Sequence, residues 1–343
     1  MGSRPTITDL AAKAGVSIAT VDRVLNGRLK VRDETSRRVY EAAKELGFHA
    51  TSLIRQRIQA DMPEIRLGFS LEPNSHPFYQ TFATELAKAV ESTPGVRIRT
   101  YIEFAKRVTP SENVEMIEFL GKRCQAVAMT SFDHHSVTKA VDNLRSQGKP
   151  VFSLLSDFAQ GVREGYIGLN NMKVGRTAAW LISQMAKKPG KVALFVGSHR
   201  WHGHELRETG FRSYFREHAP EFELLDTVVN LDTPQVTHET TLNLLERYPD
   251  LVGFYVAGGG MEGAISALRE EVKTRKLTVI VNENTPDSVS ALQDHIVSAA
   301  IATPLPLLCR SLVDLMVNSV LNGFAETPGQ LFLPFNLHVP ESV

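Results

Sequence analysis

The sequence predicts an α/β chain in two parts: an all-α helix-turn-helix unit at the N-terminus and a larger, two-lobed domain built on parallel sheets. Three observations predict it. Two short amphipathic segments meet at Gly15; from Ile65 short apolar strands alternate with amphipathic helices; and that βα rhythm runs twice, near 65–160 and again near 163–294. At 343 residues the chain exceeds one ordinary domain. Its 43% hydrophobic and 22% charged residues place it among soluble globular proteins rather than disordered or fibrous ones.

The first helical segment follows Thr8, runs through good helix formers and stops at Gly15; Ser17 opens a second. A turn of about three residues between two helices has the dimension of a DNA-reading motif. Leu10, Ala11 and Ala14 make one apolar stripe and Val21, Val24 and Leu25 another, so the two helices can press together. The second helix leaves Ile18, Ala19, Asp22, Arg23 and Asn26 outside. Small or polar groups at a helix start, with an arginine one turn on, suit the major groove, where Arg bonds a guanine's O6 and N7 together. Candidate DNA contacts are therefore Thr6, Ser17, Ile18, Ala19, Thr20, Asp22, Arg23, Asn26 and Arg28.

Residues 33–46 read as a third helix, with Val39, Ala42, Ala43 and Leu46 closing the small core and Gly47 ending it. Charge supports a polyanionic partner. Residues 1–61 hold 11 Lys/Arg against 7 Asp/Glu, and the remainder 27 against 31, so +4 is cancelled by −4. Arg23, Arg28, Lys30, Arg32, Arg37 and Arg38 fall in one short span beside only Asp33 and Glu34. Such a face neutralises phosphates, which supplies affinity but not sequence choice.

The segments Ile7-Thr-Asp-Leu-Ala11, Ala14-Gly-Val-Ser17, Thr20-Val21, Arg23-Val-Leu-Asn-Gly27 and Leu46-Gly-Phe48 resemble, densely and colinearly, the lactose-repressor/galactose-repressor (LacI) family of bacterial transcriptional regulators. The family more often has Ser where Asp22 stands, and Ser where Arg32 precedes the third helix; Asp33 is the residue that could cap instead. The resemblance implies a DNA-binding domain over 1–48, a hinge over 49–64, and an effector-binding and dimerisation domain over 65–343 of the type I periplasmic-binding-protein plan. Lobe one would take about 65–160 and 303–330, lobe two about 163–300. It also implies that a hinge helix pairs with its copy and wedges a side chain into the minor groove. Here the family's wedge position is Arg57, with Ile58 beside it; Arg57, Ile58, Leu53 or Ile54 is the residue to enter, unless the segment is a plain linker.

In the larger domain, strands are expected at 65–71, 97–104, 126–130, 151–155, 166–169, 192–196, 224–230, 252–257, 278–282 and 296–301. Helices are expected at 79–92, 111–121, 136–147, 171–187, 205–218, 234–248, 261–273, 286–293 and 305–322. Ligands of parallel α/β sheets bind beyond the carboxyl ends of strands. After the first strand come Asn74, which can bond a hydroxyl, and Phe78, which can stack on a sugar ring. Later strand ends deliver Asp133 and Asp157, acceptors for hydroxyls or simple helix caps. Asn171 opens a helix beside the hinge. By resemblance, Arg207 of Arg207-Glu-Thr-Gly-Phe211 reaches the ligand, and Glu283 stands where the family usually has a ligand-gripping Asp. Gly258-Gly-Gly260 replaces a common Asn-Asp pair, and Ala302-Thr303 a common Gln.

Gly258–Gly263, with Gly259 inside it, follows a strand and opens a helix as a phosphate cradle would, yet lacks the Lys-Ser/Thr of a P-loop. An anionic or phosphorylated effector stays open; nucleotide binding does not follow. His199, His202 and His204 fit no standard zinc spacing, so they read as polar pocket wall with Trp201 stacking on ligand, and no metal or cofactor is expected. No nucleophile elbow or Cys-centred constellation is present, so the chain is not read as an enzyme. No 18-residue apolar run or secretory signal is seen, and Cys124 and Cys309 make no disulfide framework, which predicts a cytoplasmic protein with no membrane partner. The expectation is thus a transcriptional regulator, a repressor, binding a near-palindromic operator as a homodimer or tetramer under control of a sugar, polyol or sugar derivative. The rival reading is a small-molecule binding protein or enzyme with a degenerate helical appendage.

Overall fold

The computed structural model describes residues 5–26, 31–54, 62–270 and 276–343. The contacts expected from Arg28, Arg57 and Ile58 lie outside the described residues.

The N-terminal unit contains α1 (Ile7–Ala14), α2 (Ile18–Asn26) and α3 (Asp33–Leu46). Helix α1 starts at Ile7, two residues earlier than a helix following Thr8 would. Thr6 Oγ1 accepts the Asp9 N–H, and Asp9 Oδ2 accepts the Thr6 N–H at 2.8 Å, a reciprocal cap that commits the Thr6 hydroxyl to the helix. Helix α1 ends at Gly15, whose φ of 63° is left-handed and whose hydrogen leaves room for Arg38. Arg38 Nη2 donates to the carbonyls of Ala14 (2.7 Å) and Gly15 (3.1 Å). One member of the cationic cluster therefore fastens the inter-helix turn. Arg32 precedes α3 without a side-chain capping bond, and Asp33 is the first residue of the helix.

The core of this unit joins Leu10, Ala11, Ala14, Val21, Val24, Leu25, Val39, Ala42, Ala43, Phe48 and Ile54. Ile54 is fully buried there, which removes it as a groove wedge; Leu53 is exposed.

The larger part begins with β1 (Glu64–Leu71), α4 (Pro77–Ser92), β2 (Arg97–Phe104), α5 (Pro110–Arg123), β3 (Ala126–Met129), α6 (His135–Ser146), β4 (Val151–Leu154) and β5 (Gly165–Leu169). It continues through α7 (Asn171–Met185), β6 (Lys191–Val196), α8 (His202–His218), β7 (Glu223–Leu224), β8 (Val228–Val229), α9 (Pro234–Arg247), β9 (Leu251–Val256) and α10 (Met261–Glu270). Then come β10 (Thr278–Asn282), α11 (Pro286–Gln293), β11 (Ala299–Ala302), α12 (Leu305–Asn322), β12 (Gly329–Leu333) and β13 (Asn336–His338). Two sheets form, in the orders β12-β5-β4-β3-β1-β2 and β13-β11-β10-β9-β6-β7, with β8 also on β6. The buried, largely parallel strands read as continuous apolar runs because helices cover both faces.

Three expectations change. Strand β5, expected in the second lobe, pairs in parallel with β4, so the chain leaves the first sheet at Asn170, not near 163. The strand expected over 224–230 is two short pieces, because Arg212 Nη2 draws the Leu225 carbonyl (3.2 Å) and the Thr227 hydroxyl (2.6 Å) away from the ladder. A third crossing, not expected, follows α12 and β12 on the first sheet's side: β13 pairs antiparallel with β11 of the second. Helix α12 is long and apolar enough, by length and composition, to span a bilayer. It buries Leu308, Cys309, Leu312, Val313 and Met316 beside β3 and β5 and exposes Arg310 and Asp314. Both cysteines are buried and free.

Candidate functional site

A cavity of about 550 Å³ lies where loops leave the carboxyl ends of both sheets. Glu72 and the His76–Tyr79 turn follow β1, Phe132 follows β3, Leu155 and Ser156 follow β4, and Trp201 to Arg207 follow β6. Asp232 follows β8, Gly258 and Gly259 follow β9, and Glu283 follows β10.

Arg207 is built in by helix packing. Helices α7 and α8 touch closely because Gly175 faces the Arg207 carbonyl and Gly210 the Met172 carbonyl. Arg207 is only 8% exposed; its Nε donates to Asn171 Oδ1 at 2.7 Å and its Nη1 to the Ala257 carbonyl at 2.6 Å. Asn171 in turn donates to the Leu155 carbonyl at 3.1 Å and the Tyr166 hydroxyl at 3.3 Å. A chain of bonds thus runs from the cavity wall of one lobe to the crossover of the other. Leu155 holds φ at 63°, a left-handed backbone for a branched residue, beside that crossover.

Glu283, also left-handed at φ 72°, accepts the Thr303 N–H at 2.8 Å and its hydroxyl at 2.7 Å. Thr303, at the second crossover, takes up that carboxylate. Burial raises the Glu283 pKa, and the Thr303 bonds and Arg207 offset part of the rise.

Asp232 sits in the loop that follows β8 with φ 54°. Asn230 Oδ1 holds its N–H, and its Oδ1 accepts the Gly259 N–H at 2.7 Å. A Cβ on Gly197 would lie 1.9 Å from Asp232 Oδ2, so only glycine leaves that carboxylate its place. The glycine-rich turn that resembled a phosphate cradle is therefore already filled by the protein's own anion, which weighs against a phosphorylated ligand there.

His204 lines the cavity and is half-buried. Its Nδ1 accepts the Gly197 N–H at 3.2 Å, which puts the proton of the neutral ring on Nε2. Burial pushes its pKa down to about 4, against the pull of Asp232. Between pH 6.5 and 4 the unfolded chain binds a proton that folded His204 refuses, so this group's contribution to stability is lost as pH falls. In urea titrations the wild type should lose more stability across that window than His204→Gln; parallel curves would contradict the assignment.

Trp201 packs edge-to-face on Phe132, from the opposite lobe, with centroids 5.8 Å apart, while Phe78 and Tyr79 form a second aromatic corner. These rings are the apolar floor a sugar face needs.

Phe78, Trp201, Arg207, Gly259 and Glu283 line the cavity; Asn74, Asp133, Asp157 and Asn171 do not. Asn74 is exposed, and its carbonyl accepts Gln80 Nε2 at 2.7 Å. Asp133 accepts the Ala159 N–H at 3.1 Å, which ties the loop after β3 to the loop after β4. Asp157 is buried against Arg163 (2.5 and 2.7 Å), Ser153 and Gln330. Burial alone would raise its pKa; those bonds outweigh it and hold the carboxylate below the ordinary range. It ties β4 to β12 as a structural ion pair. Sequence reasoning missed Glu72, Asp232 and Glu262 as cavity residues, while His204, read as polar pocket wall, lies in the lining; Glu72 had a readable signal, since it directly follows a strand end. Among the described residues no three His, Cys, Asp or Glu side chains converge as a metal site. His199 lies beside Glu208 and His202 beside Glu205.

In the N-terminal unit, Ser17 Oγ lies 2.9 Å from Thr20 Oγ1 and accepts the Thr20 N–H, so both hydroxyls serve the start of α2. Ile18, Ala19, Arg23 and Asn26 are exposed along one face, Ile18 to 52%. Asp22 is half-buried and accepts Asn26 Nδ2 at 2.6 Å, which orients the amide rather than offering a second anion to DNA.

Residues 6–51 match the family described as bacterial regulatory proteins, lacI family, and residues 67–323 match the periplasmic binding protein domain. The ribose import binding protein RbsB of Bacillus subtilis is 23% identical over 263 residues, 76% of this chain and 83% of that protein. The HTH-type transcriptional regulator GntR of Pseudomonas aeruginosa is 23% identical over 292 residues, 82% and 80% of the two chains. Among solved structures, an ABC transporter solute binding protein from Burkholderia graminis, in complex with D-arabinose, superposes with a TM-score of 0.74 at 19% identity, covering 82% of this chain and 97% of that one.

Proposed function

Because this chain belongs to the LacI family of bacterial regulatory proteins, we propose that it acts in the cytoplasm as a homodimeric repressor whose hold on a near-palindromic operator is set by a sugar or polyol bound between its lobes. Two copies of α2 would enter successive major grooves, with Ile18, Ala19, Arg23 and Asn26 on base edges and Ser17 and Thr20 at phosphates. The observation that carries the effector half is the bond chain from Arg207 through Asn171 to Leu155, which joins the cavity wall of one lobe to the crossover of the other. A ligand that favours one lobe arrangement over another biases the operator-binding form by its difference in affinity for the two, and by no more than that.

A thermal-shift screen over sugars and polyols tests this. A ligand at 100 times its Kd stabilises the folded chain by about 2.7 kcal/mol. Arg207→Ala should abolish that shift and leave ligand-free operator retention unchanged; a normal dose response in the variant would remove Arg207 from the site.

A further inference from the structure

The cavity wall carries four carboxylates, Glu72, Asp232, Glu262 and Glu283, against two guanidiniums, Arg200 and Arg207. The donors are largely committed. Arg207 spends Nε and Nη1 on Asn171 and Ala257, and Arg200 lies over the Phe132 ring at 5.8 Å. The acceptors are not. Glu283 is satisfied by Thr303, and Asp232 has one oxygen on Gly259, but Glu72 accepts no hydrogen bond and makes no ion pair among the described residues. It is 6% exposed, and its oxygens open onto the cavity.

A buried carboxylate without a partner is costly unless something in its site donates to it. Hydroxyls both donate and accept, so a plain sugar brings as many new acceptors as donors to a wall already rich in acceptors. An ammonium only donates. From this juxtaposition, and resting on the effector reading above, we infer that the preferred ligand is a polyol or sugar bearing a protonated amine, with the amine directed at Glu72. In the empty cavity, burial and the neighbouring Asp232 and Glu112 push the Glu72 pKa up to about 8, so at neutral pH it holds a proton. An ammonium beside it favours the carboxylate, and the displaced proton passes to the buffer.

Calorimetry and thermal shift on the full chain, at a pH where the amine is protonated, compare matched pairs: glucosamine with glucose, galactosamine with galactose, an amino alditol with its alditol. The amine of at least one pair should bind about ten-fold or more tightly than its parent, the discrimination a hydrogen bond to a charged group supplies. Its binding heat should vary between buffers in the way proton release requires, while the parent's does not. Glu72→Gln should bring the amine down to its parent; should that variant fail to fold, the wild-type comparison and buffer dependence decide alone. Parents that bind as well as their amines, or a preference that survives Glu72→Gln, overturn the inference while leaving sugar control in place. No stabilisation by either class overturns both.

Discussion

Gly210→Ala is expected to destabilise the larger part by about 1–3 kcal/mol or more, the cost of forcing extra volume into a packed contact. The added Cβ would lie 2.2 Å from the Met172 carbonyl oxygen and 3.2 Å from the Arg176 nitrogen, both backbone atoms, so relief comes only by separating α7 from α8. Separation carries Arg207 off Asn171. The variant should therefore lose its ligand response as well as its stability. Gly329→Ala, with open space around the added carbon, is the control and should stay within about 0.5 kcal/mol of the wild type. Chemical denaturation with and without ligand reads both effects; a Gly210→Ala chain of wild-type stability would mean that the two helices do not pack as described. The Gly of the Arg207–Gly210 signature thus serves the Arg: it permits the approach that holds the guanidinium in the wall.

Arg23→Ala should weaken operator binding by about 1–3 kcal/mol, roughly five- to over a hundred-fold, and relax the choice at one base pair in each half-site. Arg23 is exposed on α2, so the fold loses nothing. The two effects on DNA can be told apart by salt. A lost base contact leaves the slope of log affinity against log salt nearly unchanged, whereas a lost phosphate contact lowers it by about one. Fluorescence anisotropy on wild-type and single-substituted duplexes at several salt concentrations would show which it is. Unchanged base preference in the variant would take Arg23 out of the recognition face.

The helices of the N-terminal unit were legible because their signals are local: apolar residues at helical spacing, Gly15 and Gly47 at left-handed ends. What its arginines do was not. Arg38 reads as one more cation in a basic run, and only the folded turn shows it bonded to Ala14 and Gly15. Strand and helix positions in the larger part also follow from short-range periodicity, but the crossings between sheets do not. Nothing in Gly165–Leu169 says that it stays beside β4, and the short segments Gly329–Leu333 and Asn336–His338 are too brief to stand out. The same limit governs the cavity. Asp157 has the residue type and strand-end position of a ligand contact, yet Arg163, six residues on, turns back to claim it. Asn171 stands one bond behind the wall, orienting Arg207, and Asp232 reaches the cavity only because its loop folds across Gly197 and Gly259. Such roles depend on which strand lies next to which.

The central claim is that α2 reads base edges. Selection of bound duplexes from a randomised pool by the full chain, under excess competitor DNA, tests it most directly. The account predicts one enriched site with two-fold related halves, whose enrichment is lost for Arg23→Ala. A pool that stays random after repeated selection, at salt low enough for non-specific binding, would contradict it.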